Sequence, residues 1–157
     1  MKILLLCVGK LRSDALRVLA DEYAGHMKHY GGLDVQEVKA SSAREAREIV
    51  KEESERLLAA IKPEDTVWVL DERGKQFTSV HVSERFTDME NKGTRRLVVV
   101  LGGAFGFNAA VRERGTKWAL SALTFNHELC RVIVLEQLYR ARTIQRKEPY
   151  HHGEMFT

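Results

Sequence analysis

The 157-residue sequence is poor in cysteine: Cys7 and Cys130 stand far apart and in no metal-ligand spacing. That scarcity argues against a disulfide framework and a structural zinc site, so no metal is expected and a reducing, cytoplasmic compartment fits. Long hydrophobic runs are missing too. The opening apolar stretch Ile3–Val8 is too short for a signal-peptide core and far short of a membrane span, so a soluble protein without a membrane partner is expected. Repeats and disordered linkers are absent, and the length suits one domain over residues 1–157, able to bury about two-thirds of its unfolded surface unaided. Neither sign of charge dominates. Lys and Arg number 25 against 22 Asp and Glu, and the resulting +3 permits a polyanionic partner without demonstrating one.

The known phosphate-binding signatures are also missing. Gly102, Gly103, Ala104, Phe105 and Gly106 follow an apolar run, but the Lys and Ser or Thr of a P-loop do not. A dinucleotide fingerprint needs G-x-G-x-x-G after the first strand and an acidic residue about twenty positions on, whereas this is G-G-x-x-G after the fourth. Taken alone, these glycines read as a tight turn between a strand and a helix.

What is present is an alternation of two periods. Ile3–Val8 is apolar without interruption up to Gly9, the mark of a strand buried on both faces and a candidate for the sheet centre. From Ser13, a candidate N-cap, Leu16, Leu19, Tyr23, Met27 and Tyr30 recur at helical spacing until Gly31 and Gly32. A weaker strand, Leu33–Val38, precedes Ser42 and Glu45, which form a capping-box pattern ahead of Ala46, Ile49, Val50, Leu57 and Ile61. Thr66–Leu70 reads as a third strand, Asp71–Lys75 as a loop, and Val82, Phe86 and Met89 as a short helix. Leu97–Leu101 is a fourth strand, Asn108 caps a short helix, and Thr116–Leu120 is a fifth strand. A long helix then runs from about Asn126 to Arg146, apolar around most of its circumference between Leu129 and Leu138. Such alternation implies an α/β fold: a mostly parallel sheet with helices on both faces. A final helix apolar nearly all round needs cover on several sides, which points to a second subunit and a homodimer.

Three segments begin where apolar strands end: Leu70 with Asp71, Leu101–Gly106, and Leu120–Asn126. In open α/β sheets the crevice beyond the carboxyl ends of the strands is where ligands bind, so these loops are expected to share one pocket; the alternative is three ordinary surface turns. The candidate polar residues each have a plain reading as well. His127 caps or packs at a helix start. Glu136 sits in the apolar stripe and needs a partner such as Arg140 or an arginine across a dimer. His151 and His152 form a tail that reads as exposed. Arg12, Lys28, Arg73, Lys75 and Arg85 are candidate phosphate contacts, or a solvated surface.

The strings VVVLGGAFGF and LSALTFNHELCRVIVLEQLYRA and the terminal EPYHH, in this order and spacing, together with the LDERGK loop, resemble the RlmH family of knotted, SPOUT-class methyltransferases. The likeness covers nearly the whole chain and is sharpest from Leu97 onward. It implies a trefoil knot and cofactor site within about residues 97–157, with the last helix and tail threaded through a loop. By the same resemblance, S-adenosylmethionine is held by Leu70, Gly103 and Ser121, Ala122, Leu123, Thr124, Phe125 and Asn126. The implied reaction is methylation of a pseudouridine at N3 in large-subunit ribosomal RNA of the assembled ribosome. Tyr150, His152 and His127 are the implied catalytic candidates, with the tail folded over the cofactor and facing the RNA. The loop GGAFGF departs from the GGPEG of many relatives, so Phe105 stands at a polar position, and Asn126 and Glu128 flank His127 where relatives often carry proline and glutamine. The rival readings are a SPOUT enzyme acting on another RNA nucleotide, a non-catalytic ribosome-binding module, and a generic flavodoxin-like nucleotide-binding domain.

Overall fold

The structure, a computed structural model, describes residues 1–152; the sequence-based domain and knot boundaries at 157 therefore extend five residues beyond what is described. Among the described residues five strands form one parallel sheet. In chain order the elements are β1 (Lys2–Val8), α1 (Asp14–His26) ending in a 3-10 turn (Met27–Tyr30), β2 (Leu33–Val38), α2 (Ala46–Ala59), and β3 (Thr66–Gln76). There follow α3 (Ser79–Asn91), β4 (Arg96–Val100), α4 (Ala109–Arg112), β5 (Thr116–Ala119) and α5 (His127–Gln145).

The strand order is β2-β1-β4-β3-β5. The centre is therefore β4, not β1, which lies one place away; the weakly buried β2 pairs outside β1 and takes the edge. Leu97, Val98, Val99 and Val100 are all fully buried, and each contributes about 1.5–3 kcal/mol by leaving water. Alternation along the strands sorts two cores. Ile3, Leu5, Cys7, Trp68, Leu97 and Val99 pack with α1, α3 and α5, whereas Leu4, Leu6, Val67, Val69, Val98 and Val100 pack with α2 and α4. Trp68 and Trp118 meet edge to face at 5.5 Å beneath the first layer.

Two N-caps form as expected, Ser13 accepting from the Leu16 amide and Asn108 from Val111; the last helix is capped not by His127 but by Asn126, which accepts from both Glu128 and Leu129. The capping box at Ser42 and Glu45 does not form. Glu45 is the N-cap of α2 but makes no side-chain cap bond, and Ser41 instead folds its hydroxyl onto the Ala43 amide. The segment Asp71–Lys75 is not a plain loop either. It belongs to β3, which bulges between Leu70 and Lys75 where both align with Trp118. A Cβ at Gly74 would stand 2.6 Å from the Lys117 backbone, so only glycine lets the two chains approach there.

Within this one chain α5 packs against α1, α3 and the sheet, which cover much of its apolar circumference. Leu129 on α5, with Val18 and Leu19 on α1, stays exposed. The two helices begin side by side, because Glu128 accepts from the amides of Arg12 and Ser13.

Candidate active site

The three strand-end loops converge on one cavity of about 630 Å³. Leu70 comes from β3, Leu101–Phe107 from the loop after β4, and Leu120, Ser121, Leu123, Thr124, Phe125 and Asn126 from the loop after β5; His127 and Cys130 on α5 complete the wall. Parallel strands end together, so loops distant in sequence are brought to one crevice. This volume suits a nucleoside-sized ligand.

The glycine loop has a specific geometry. Gly106 donates its amide to the Gly103 carbonyl at 3.0 Å and has φ +74°, a left-handed conformation that favours glycine. At Gly102 a Cβ would lie 2.9 Å from Gly106 backbone and from the Phe107 ring, so the loop can close only without a side chain. This turn leaves Ala104 and Phe105 at its tip, and Phe105 is 58 % exposed. Beneath the loop, α2 supplies two buried polar residues. The Ser54 hydroxyl accepts from the Asn108 amide at 2.9 Å, and Glu53 Oε1 accepts from the Ser41 amide at 3.0 Å.

One flank of the cavity carries an ion pair that the sequence reading did not identify. Asp71 is buried, and its carboxylate accepts from Arg112 Nε at 2.6 Å and from the Arg73 amide at 3.0 Å. Burial acts to raise the Asp71 pKa, but the Arg73 amide and the Arg112 side chain outweigh it and hold the carboxyl below its usual range. Beside it the Thr124 hydroxyl donates to Glu72 Oε2 at 2.6 Å and ties two of the loops together. Burial raises the Cys130 thiol pKa, and burial first of all pushes Cys7 up to about 12, so neither is a ready nucleophile.

Of the residues named from sequence, Leu70, Gly103, Ser121, Leu123, Thr124, Phe125, Asn126 and His127 line the cavity, while Ala122 is exposed and outside its lining. Tyr150 and His152 are not among the lining residues. The tail instead docks on α5: Tyr150 donates to Glu136 at 3.0 Å and packs against Tyr139 at 4.7 Å, while His151 Nδ1 lies 3.2 Å from Arg140. His152 is exposed. Glu136 has the Arg140 partner expected of a carboxylate in an apolar stripe, and also accepts from Gln137. Tyr150's pKa is raised, by burial first and then by hydrogen bonding to Tyr23 and Glu136. A helical-face reading of α2 carried the signal for Glu53 and Ser54, since they fall between Val50 and Leu57 on its inward stripe.

A second cavity, of about 560 Å³, opens at the amino ends of the strands beside Met1, Asp65, Glu90, Arg96 and Arg142. Within it Asp65 pairs with Arg96, and Glu90 with both Arg142 and the chain amino group.

A family model described as "Predicted SPOUT methyltransferase" matches residues 1–151. The chain belongs to the SPOUT methyltransferase family. Among relatives of this SPOUT chain, a protein of Pelobacter propionicus is 41 % identical over 152 residues, 97 % of this chain and 100 % of its own. A Gloeobacter violaceus protein is 42 % identical, covering 98 % and 100 %, and one from Porphyromonas gingivalis is 38 % identical, covering 97 % and 99 %. All three carry the name ribosomal RNA large subunit methyltransferase H. A solved structure, that of a probable methylase family protein from Haemophilus influenzae, matches with TM-score 0.54 and 13 % identity over 97 % of this chain and 70 % of that one, a likeness of fold alone. The fold expected from sequence is thus the fold of this family. Among the described residues no group of three or more His, Cys, Asp or Glu is arranged to hold a metal, and no helix is long and apolar enough to cross a membrane.

Proposed function

We propose that this SPOUT chain transfers a methyl group from S-adenosylmethionine to N3 of a pseudouridine in large-subunit ribosomal RNA of the assembled ribosome. The observation that carries the reading is the single cavity in which Leu70, Gly103 and Ser121 with Leu123–Asn126 meet. The names of the full-length relatives support ribosomal RNA as the substrate. The cavity fits the cofactor. Its volume and apolar walls suit an adenosine, and an unpartnered buried carboxylate oxygen, Glu53 Oε2, lies behind Gly103 and suits a cation. Bound there, the cofactor supplies an electrophilic methyl on a sulfonium.

The chain's own residues orient and exclude. Leu70, Leu101, Leu120 and Phe125 would wall the adenine and keep water out, and the loop Ser121–Asn126 would offer main-chain groups to its edge. N3 of the base must lose a proton as the methyl arrives. Asp71 is held by Arg112 and Arg73, and His127, at the start of the last helix in the cavity wall, is the proton acceptor in this reading. Tyr150 and His152 act from the tail, facing the RNA. The last helix is threaded through a trefoil knot, and the protein works in the cytoplasm as a homodimer whose contact includes Leu129, Val18 and Leu19, the exposed apolar residues of α5 and α1.

The test is transfer of labelled methyl to ribosomes lacking the modification, with free ribosomal RNA alongside and mass mapping of the product. Label at N3 of one large-subunit pseudouridine, on ribosomes only, is expected. Cofactor binding without transfer to ribosomes means another RNA substrate. No cofactor binding means a non-catalytic ribosome-binding module.

A further inference from the structure

Glu53 is 4 % exposed, and its Oε2 has no hydrogen-bond partner. A carboxylate in that state is costly unless something compensates its charge. Glu53 takes part in no ion pair among the described residues, and Arg56, one turn on along the same helix, is bonded to Glu52 and the Lys39 carbonyl. The oxygen is aimed at the glycine loop, for a Cβ built on Gly103 would stand 2.6 Å from it, with Val8 the next atom at 3.4 Å. Gly103 in turn lines the cavity. A buried carboxylate oxygen without a hydrogen-bond partner therefore sits a single residue's thickness behind the wall of the site, away from water.

We propose that Glu53 is a positioning residue whose buried carboxylate serves as the fixed counter-charge for the cationic cofactor, an inference that rests on the S-adenosylmethionine reading above. S-adenosylmethionine carries a sulfonium charge. S-adenosylhomocysteine, the product left when the methyl has gone, is a neutral thioether with nearly the same shape. A fixed negative charge behind Gly103 therefore holds the substrate form more tightly than the product form and promotes product release. The same packing favours glycine at position 103, because a Cβ there requires the carboxylate to shift.

The experiment is calorimetric titration of the full-length protein and its Glu53→Gln variant with each ligand separately. Glutamine keeps the size and the acceptor for the Ser41 amide but removes the charge. Affinity for S-adenosylmethionine should fall about tenfold and affinity for S-adenosylhomocysteine by less than about twofold, the pattern for loss of one charge at short range. Parallel loss of both, or an unchanged ratio, overturns the proposal. A wild-type protein that binds neither ligand overturns the cofactor reading itself, a result distinct from binding without discrimination. The contact is checked independently by thermal unfolding. Gly103→Ala should lower Tm in the wild type and lower it less in a Glu53→Ala background, whereas equal losses overturn the proposed contact.

Discussion

Arg112→Ala isolates the ion pair that braces the cavity flank. The substitution removes the 2.6 Å bond from Nε to Asp71 and leaves a carboxylate whose side chain is only 5 % exposed. Removing one partner of a fully buried pair costs about 3–5 kcal/mol. Asp71 keeps its bond from the Arg73 amide, and the Arg112 side chain is 28 % exposed, so solvent screening lowers the expected loss to about 2 kcal/mol. For a chain of this size that is a fall in Tm of about 4–8 °C. Asp71→Asn in the same background should recover part of the loss, since it removes the stranded charge. The dependence on pH has a definite sign. The folded-state pKa of Asp71 lies below its unfolded value, so the stabilisation is fully present above that unfolded value, about pH 4, and is lost as the pH falls through the folded one. The gap between wild type and Arg112→Ala should therefore be open at pH 7 and narrow towards pH 3, as read by urea unfolding with unchanged slope. Equal stabilities at pH 7, or a gap that persists undiminished at pH 3, would refute the argument.

Two other perturbations probe the cavity. Asn126→Ala removes the acceptor for the Glu128 and Leu129 amides and should cost about 1 kcal/mol of stability, together with a weaker cofactor affinity than an exposed alanine substitution such as Arg17→Ala produces. Cys130 lines the cavity while Cys7 is buried in the first strand, so a thiol reagent should label one site slowly in the native protein and S-adenosylmethionine should slow it further; labelling unaffected by the cofactor would place the ligand elsewhere.

Much of the site was legible because its glycine and helix-start residues obey local rules. Ser13 and Asn108 cap helices through short-range hydrogen bonds that any sequence window contains, and the three strand-end loops follow from the order of apolar runs. Ser42 and Glu45 match a capping box equally well, yet Ser41 takes the local bonds instead, with Glu52 and Glu53 drawn in from α2. Asp71 was read as part of a loop because its partner Arg112 lies 41 residues away, a separation over which no periodicity carries information.

Sequence alone determined the alternation of strands and helices, the burial of β4 on both faces, and the family to which the chain belongs, since apolar period and motif spacing are properties of adjacent residues. Tertiary structure decided that β4 rather than β1 is central, that Asp71 joins Arg112, and that Glu53 stands behind Gly103. It also set the tail along α5, with Tyr150 on Glu136. Each of these depends on which distant segments share a surface, and that is settled only when burial of the whole sheet selects one packing.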